Sequence, residues 1–356
     1  MTINAAGLDS LLRGMPENPD HYLHAVDFIN RRALIVRIDR STYRHASFLD
    51  DRALNAGTEG VWVPIAEVLR CAEAIPPGRA PHYIFHLGHC GSTLLTRLIG
   101  AWPEFHVLRE PLPLLALGMV KRELDTPLCP IAPPEWPQLF DAVVRFMGRT
   151  YRGGDAPVVK ATSVCANLVD DALKWNAGSR LILVYVDLGT CLQTMLKSEA
   201  NRENSRAFAP KWLADFHRLS GAATPRLHEL DDTRQITLNW IMAMQALLGA
   251  SNNAPDRTML VAFDSFLQDM EAGLTAIAAF LGKDVAEDEI RALASGPAAA
   301  AYAKQPRRPY SRAMREQALA AAQKSFATEI RTGIEWGRRL IEATPALAGV
   351  ERYITG

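Results

Sequence analysis

The sequence predicts an α/β fold, a parallel sheet flanked by helices on both faces, with a small N-terminal extension. Three observations carry this. Five short, largely apolar runs at residues 83–87, 105–108, 157–160, 180–187 and 258–264 are separated by segments whose apolar residues recur at helical spacing. The fourth run, RLILVYVD, is continuously aliphatic and β-branched, the composition of a strand buried on both faces. Residues 81–100, PHYIFHLGHCGSTLLTRLIG, pass from a strand pattern to a helix pattern through a glycine-containing turn.

Residues 1–76 form the extension, with a strand at 33–38, a second apolar piece at 61–65 and a helix up to Ile75. Trp62 is expected to pack rather than to meet a ligand. PPGRAP at 76–81 breaks regular structure and starts a second unit, 77–356. Within it, residues 112–156 read as Pro-rich, substrate-facing loops and then a helix over 139–147. Residues 199–235 read as a mobile loop plus a helix over the site. Ile236, Trp240, Ile241, Met244 and Leu248 share one buried helix face. Residues 313–345 read as an amphipathic helical region with Met314, Phe326, Ile330, Ile334 and Trp336 turned inward.

Lys plus Arg and Asp plus Glu both number 39, so no global charge argues for nucleic-acid or membrane-surface partners, and any anion site must be local. No apolar run is long enough to cross a bilayer, and the N-terminus lacks a basic segment leading into an apolar one. The five cysteines are scattered without metal-ligand spacing, which together with these features suggests a cytoplasmic chain.

Chemistry concentrates at the turn Gly88-His89-Cys90-Gly91-Ser92-Thr93. Unpaired N–H groups at a helix start, with the positive end of the helix dipole, attract phosphate or sulfate. The ATPase pattern G-x-x-x-x-G-K-[ST] would require Gly at His86 and Lys at Ser92, so this is a different loop, or a packing turn without ligand. Glu110 follows the second strand, where parallel sheets place ligands, and reads either as part of the chemistry or as a surface partner of Arg109. Lys160 ends the third strand and by its position alone reads as a solvated strand-end lysine. Cys90 has no activating partner in sight and reads as a small filler.

The segment from Gly88 to Leu95 resembles the 5′-phosphosulfate loop of the sulfotransferase superfamily, in a divergent bacterial-type form with His89 at the family's basic position. The resemblance continues through most of the chain to its C-terminus and implies a P-loop NTPase-like architecture. It also implies 3′-phosphoadenosine-5′-phosphosulfate as donor, no metal, and a small-molecule acceptor hydroxyl or amine. On this reading Gly88, His89, Cys90, Gly91, Ser92 and Thr93 hold the phosphosulfate, with His89 a conditional cation. Glu110 is the base and Lys160 the stabiliser. Val186 falls where the family has an arginine for the nucleotide 3′-phosphate and Thr194 where it has a serine. Lys197 and Arg202 are the nearest replacement cations in sequence. A basic loop carrying Lys304, Arg307 and Arg308 could close over a nucleotide phosphate. A phosphotransferase on the same scaffold and a degenerate, non-catalytic nucleotide-binding protein remain as alternatives.

Overall fold

The computed structural model describes residues 11–75, 80–300 and 310–354; Lys304, Arg307 and Arg308 lie outside them. Strands β4 (His82–His86), β5 (Phe105–Arg109), β6 (Ala156–Lys160), β7 (Leu181–Tyr185) and β8 (Thr258–Ala262) form one sheet, in the order β5-β6-β4-β7-β8. All neighbouring pairs are parallel, with Tyr83 opposite Val159 and Leu181, and Val107 opposite Val158. Every residue of β5 and β6 is buried, the polar His106, Arg109 and Lys160 included.

The chain moves to one side from β4 to β5 and to the other side in each later crossover. Right-handed crossovers therefore put the first connecting helix on one face and the later ones on the opposite face. The first is α3 (Ser92–Ile99). The opposite face carries α4 (Leu112–Glu123), α5 (Trp136–Met147), α6 (Val169–Trp175), α7 (Leu188–Leu196), α8 (Glu199–Ser220) and α9 (Asp232–Asn253). After β8 come α10 (Phe263–Gln268), α11 (Met270–Phe280), α12 (Glu287–Ser295), α13 (Arg312–Ser325) and α14 (Ala327–Glu342). Among the described residues no helix is long and apolar enough to cross a membrane.

Three expectations are corrected. Residues 112–123 are helical, because Pro111 caps the helix and Pro113 sits in the first turn, where a missing N–H costs nothing. Residues 199–220 are one continuous helix in place of a mobile loop; the exposed Pro210 is accommodated within it. Met314 is 48% exposed, since α13 buries only Ala322. Trp62 packs, though at the surface: it is 43% exposed and lies under the Arg32 guanidinium, 4.4 Å from the ring centre.

The extension is an antiparallel sheet of β1 (His21–Asp27), β2 (Arg32–Arg37) and β3 (Gly60–Pro64), with α1 (Arg40–His45) and α2 (Ile65–Glu73). β1 escapes a reading of the sequence because HYLHAVD holds two histidines and its register shifts between Leu23 and Ala25. Two buried arginines bind the extension to the main sheet. Arg149 donates to the carbonyls of Met15, Asn18 (2.8 Å) and His21 (2.9 Å). Arg109, at the end of β5, donates to the carbonyls of Tyr43 (2.9 Å), Ala46 (3.3 Å) and Thr96 (3.3 Å). Its own carbonyl accepts from the Leu49 N–H at 2.7 Å. Burial, with the nearby charge of Arg97, draws the Arg109 pKa down to about 10.

His106 on β5 lies in this seam, edge-on to Tyr43 (4.6 Å) and Tyr151 (5.5 Å), and burial pushes its pKa from 6.5 to about 4. The unfolded chain binds this proton below pH 6.5 while the folded chain resists it until about pH 4. Stability should therefore fall over that window as pH drops, by about 3 kcal/mol from this group. Urea unfolding at pH 7 and pH 4.5 is expected to show a smaller acid loss in His106→Phe than in the unsubstituted chain; equal losses would mean that the imidazole is not held neutral.

Candidate active site

The site is assembled at the C-terminal edge of the parallel sheet, where the chain leaves each strand. Beyond β4, Cys90 donates its S–H to the Leu87 carbonyl (2.7 Å), and its side chain is fully buried, as a small filler would be. His89 (φ 60°) and Gly91 (φ 75°) take left-handed conformations, so the backbone reverses sharply into α3. Gly91 is also sterically required. A Cβ there would lie 1.9 Å from the Phe263 ring, which roofs this part of the loop from the end of β8. Among the described residues the N–H groups of Ser92 and Thr93 donate to no acceptor, as the first amides of a helix must unless a ligand takes them. The side chains of Ser92 and Thr93 are buried.

Glu110, one residue beyond β5, has φ 55°, a second non-glycine left-handed position at the same sheet edge. Its N–H donates to the Lys160 carbonyl (2.7 Å), and its Oε1 accepts from the Lys160 Nζ. Register explains the meeting: Arg109 pairs with Lys160 across the adjacent parallel strands, so the next residue on β5 reaches the end of β6. The lysine is 1% exposed and the glutamate 18%. Glu110 is thus paired with Lys160, while Arg109 turns to the carbonyls of the extension. His86 Nε2 lies 4.0 Å from the same Oε1, and its Nδ1 bonds the Leu87 carbonyl at 2.7 Å.

These groups open on a cavity of about 310 Å³. Its floor is His86, Gly88, His89 and Glu110, with the turn Thr162, Ser163 and Val164 beside them. Phe48 and Arg52 from the extension form one wall, and the Arg52 guanidinium stacks 4.0 Å over the Phe48 ring. Helices α8 and α9 form the other, with Ser205, Phe208, Trp212, Asn239 and Trp240. Arg122 fixes that wall: buried on α4, it bonds Asp215 of α8 (2.8 Å) and the Val164 carbonyl (2.8 Å) and lies 4.9 Å over Trp212. Asn239 Nδ2 donates to Ser205 Oγ (2.9 Å), and its Oδ1 is buried with no donor among the described residues.

The structure brings Gly88, His89, Glu110 and Lys160 together. Cys90, Gly91, Ser92 and Thr93 belong to the loop but do not line the cavity, and neither does Thr194. Val186 is buried and its carbonyl accepts from Trp240 Nε1 (2.9 Å), so it supplies no charge. Thr194 Oγ1 is buried with no partner among the described residues. Arg202 is committed to Glu199 and the Leu196 carbonyl. Lys197 makes no ion pair among the described residues, and desolvation and then the charge of Arg315 lower its pKa. Arg315 itself bonds Asp264 (2.8 Å) and lies 5.4 Å over the Phe263 ring. Sequence reasoning missed His86, Phe48, Arg52 and Arg315. Only His86 carried a signal, its place at the end of a strand leading into the loop.

Glu110→Gln removes the counter-charge of a buried ammonium and should cost about 3 kcal/mol in urea unfolding. Adding Lys160→Met should recover most of that loss, because the stranded charge is removed as well. Additive losses in the double variant would show that the two groups are not energetically coupled.

No protein-family model and no curated protein matches the sequence. Among solved structures the chain is similar to the sulfotransferase domain from the curacin biosynthetic pathway, at 12% identity and a TM-score of 0.40, over 74% of this chain and 98% of that one. It is similar to the sulfotransferase STF9 from Mycobacterium avium, at 12% identity and a TM-score of 0.39, over 91% of this chain and 97% of that one. A retinol dehydratase in a complex with retinol and PAP matches at 12% identity and a TM-score of 0.33, over 77% of this chain and 89% of that one.

Proposed function

We propose that this chain is a sulfotransferase, which moves a sulfuryl group from 3′-phosphoadenosine-5′-phosphosulfate to a hydroxyl or amine of a small molecule. The observation that carries the reading is the Glu110–Lys160 pair beside a cavity that opens on Gly88 and His89. A carboxylate at that place can accept the acceptor's proton as its oxygen or nitrogen attacks sulfur. The Lys160 ammonium, held without freedom to reorganise, can offset negative charge that develops during transfer. The amides of residues 88–93, together with His89 when protonated, would hold the phosphosulfate at the start of α3.

The donor would supply the activated sulfuryl group, and its second phosphate would be taken by Thr194, Lys197 and Arg315, a position shifted from Val186. Thr194 Oγ1 lacks a partner among the described residues, Lys197 stands just past the end of α7 close enough to feel the charge of Arg315, and Arg315 lies over Phe263 while bonded to Asp264. They would supply the charge that Val186 does not. Acceptor and donor held side by side would make the reaction effectively unimolecular, which is the main source of rate in such displacements.

Isothermal titration with 3′-phosphoadenosine-5′-phosphate is expected to give micromolar binding, weakened about tenfold by Arg315→Ala or by Lys197→Ala. Mass spectrometry of an acceptor panel incubated with the phosphosulfate donor should show products 80 Da heavier, the mass of one SO₃. Products formed equally by Glu110→Gln would remove the carboxylate from the mechanism. Absence of binding at high micromolar nucleotide would overturn the reading. Binding without turnover would favour a non-catalytic nucleotide-binding protein, the reading to which Val186 and the Phe263 ring over Gly91 point.

A further inference from the structure

Residues 1–76 lie outside the part of the sequence that resembles the sulfotransferases, yet they bring a charge to the cavity. Among the described residues that line it, Arg52 is the only lysine or arginine. Lys160 is 1% exposed and is not one of them. The lining histidines, His86 and His89, carry charge only when protonated. An anion in this cavity therefore has one permanent cation to touch, and that cation comes from the extension.

The Arg52 side chain is 65% exposed, so a ligand can reach it, and its surroundings fix where it stands. The turn that carries it is tied down at three places. The Leu49 N–H donates to the Arg109 carbonyl (2.7 Å), the Leu49 carbonyl accepts from the Tyr22 hydroxyl (3.2 Å), and Asp51 Oδ1 lies 2.9 Å from Nε2 of the buried His24. The guanidinium stacks 4.0 Å over the Phe48 ring and donates to Asp50 through Nε (2.9 Å) and Nη2. Its Nη1 donates to no acceptor among the described residues, which leaves that edge of the fork for a ligand. The Phe48 ring centre also lies 5.6 Å from Lys160 Nζ, so one ring joins the guanidinium to the Glu110–Lys160 pair. Hydrogen bonds to Asp50, and then the charges of Asp50 and Glu110, raise the Arg52 pKa against a lowering by burial.

Resting on the transferase reading above, we infer that Arg52 contacts the outer oxygens of the sulfuryl group as it passes from donor to acceptor. In that step the bond from sulfur to the bridging phosphate oxygen breaks and a bond from sulfur to the acceptor oxygen or nitrogen forms. The acceptor's proton goes to Glu110, and 3′-phosphoadenosine-5′-phosphate leaves. The outer oxygens carry negative charge before, during and after the step. A cation needed throughout should not depend on pH, and a guanidinium meets that requirement where His89 does not. Its planar fork also suits oxygens that share one central atom. Asp50 and Phe48 hold the fork in place beforehand, so no reorganisation is required when the group moves. The extension is on this account part of the reaction centre.

Titration calorimetry of the full chain with 3′-phosphoadenosine-5′-phosphosulfate, and separately with 3′-phosphoadenosine-5′-phosphate, isolates the sulfuryl group, which only the first carries. The first is expected to bind about tenfold more tightly, the worth of one charge-assisted contact. In Arg52→Ala the ratio should fall to about one, through weaker binding of the phosphosulfate alone. In Arg52→Lys, which keeps the charge and loses the fork, it should fall part of the way. Melting temperatures should stay unchanged, because the Arg52–Asp50 pair is exposed on the arginine side. A ratio that survives Arg52→Ala would overturn the inference, and so would phosphosulfate binding no tighter than phosphate binding in the unsubstituted chain. Equal weakening of both nucleotides by Arg52→Ala would overturn it too, since the arginine would then attract the nucleotide as a whole. In these three outcomes the bound nucleotide leaves the transferase reading standing. Failure of both nucleotides to bind the unsubstituted chain would remove that reading, and this inference with it.

Discussion

A carboxylate and an ammonium share one buried corner between the ends of two adjacent parallel strands, and the arrangement of the candidate site follows from keeping them together. Lys160 is almost wholly out of water, where an unpaired ammonium is costly, so Glu110 must stay within reach of it. That requirement fixes the end of β5 against the end of β6 and holds Glu110 in a left-handed conformation costing about 1 kcal/mol. The oxygen that Lys160 holds is also the one 4.0 Å from His86 Nε2, and Glu110 lines the cavity. Structural necessity and chemical readiness meet in a single ion pair.

The extension gains its place in the site through the residue next door. Arg109 satisfies carbonyls that the chain around 43–46 would otherwise bury without donors, and so draws that segment onto the strand that carries Glu110. Phe48 and Arg52 then become a cavity wall, and the Lys160 ammonium lies 5.6 Å from the Phe48 ring centre. Removing the extension would therefore open the site to solvent as well as expose core.

Backbone geometry concentrates at the same edge. Of the three described non-glycine residues with positive φ, His89 and Glu110 flank the cavity and Arg31 lies in a hairpin turn. Strained conformations persist where surrounding contacts hold them, here the Cys90 bond to the Leu87 carbonyl and the Glu110 bond to the Lys160 carbonyl. Phe263 adds a lid of a different kind, an aromatic ring against a glycine that no other residue could replace. The helix start is thereby sheltered on one side and open at Gly88 and His89 on the other.

The five strands, the glycine turn and the strand-end places of Glu110 and Lys160 could be read from the chain, because burial on both faces imposes long apolar runs and sharp turns impose glycine; the order of the strands in the sheet could not. Polar stretches misled: residues 199–220 look solvated yet form a helix whose sparse apolar positions, Phe208 and Trp212 among them, complete a wall. What the sequence by itself determined was the local vocabulary, strand, turn and helix start, since that depends on neighbours a few residues away. Which cation meets Glu110, that Phe263 covers Gly91, and that Arg52 and Asn239 share a cavity were decided only by the tertiary structure. Those contacts join residues far apart in the chain, and their energy comes from desolvation and packing that exist only once the sheet has closed.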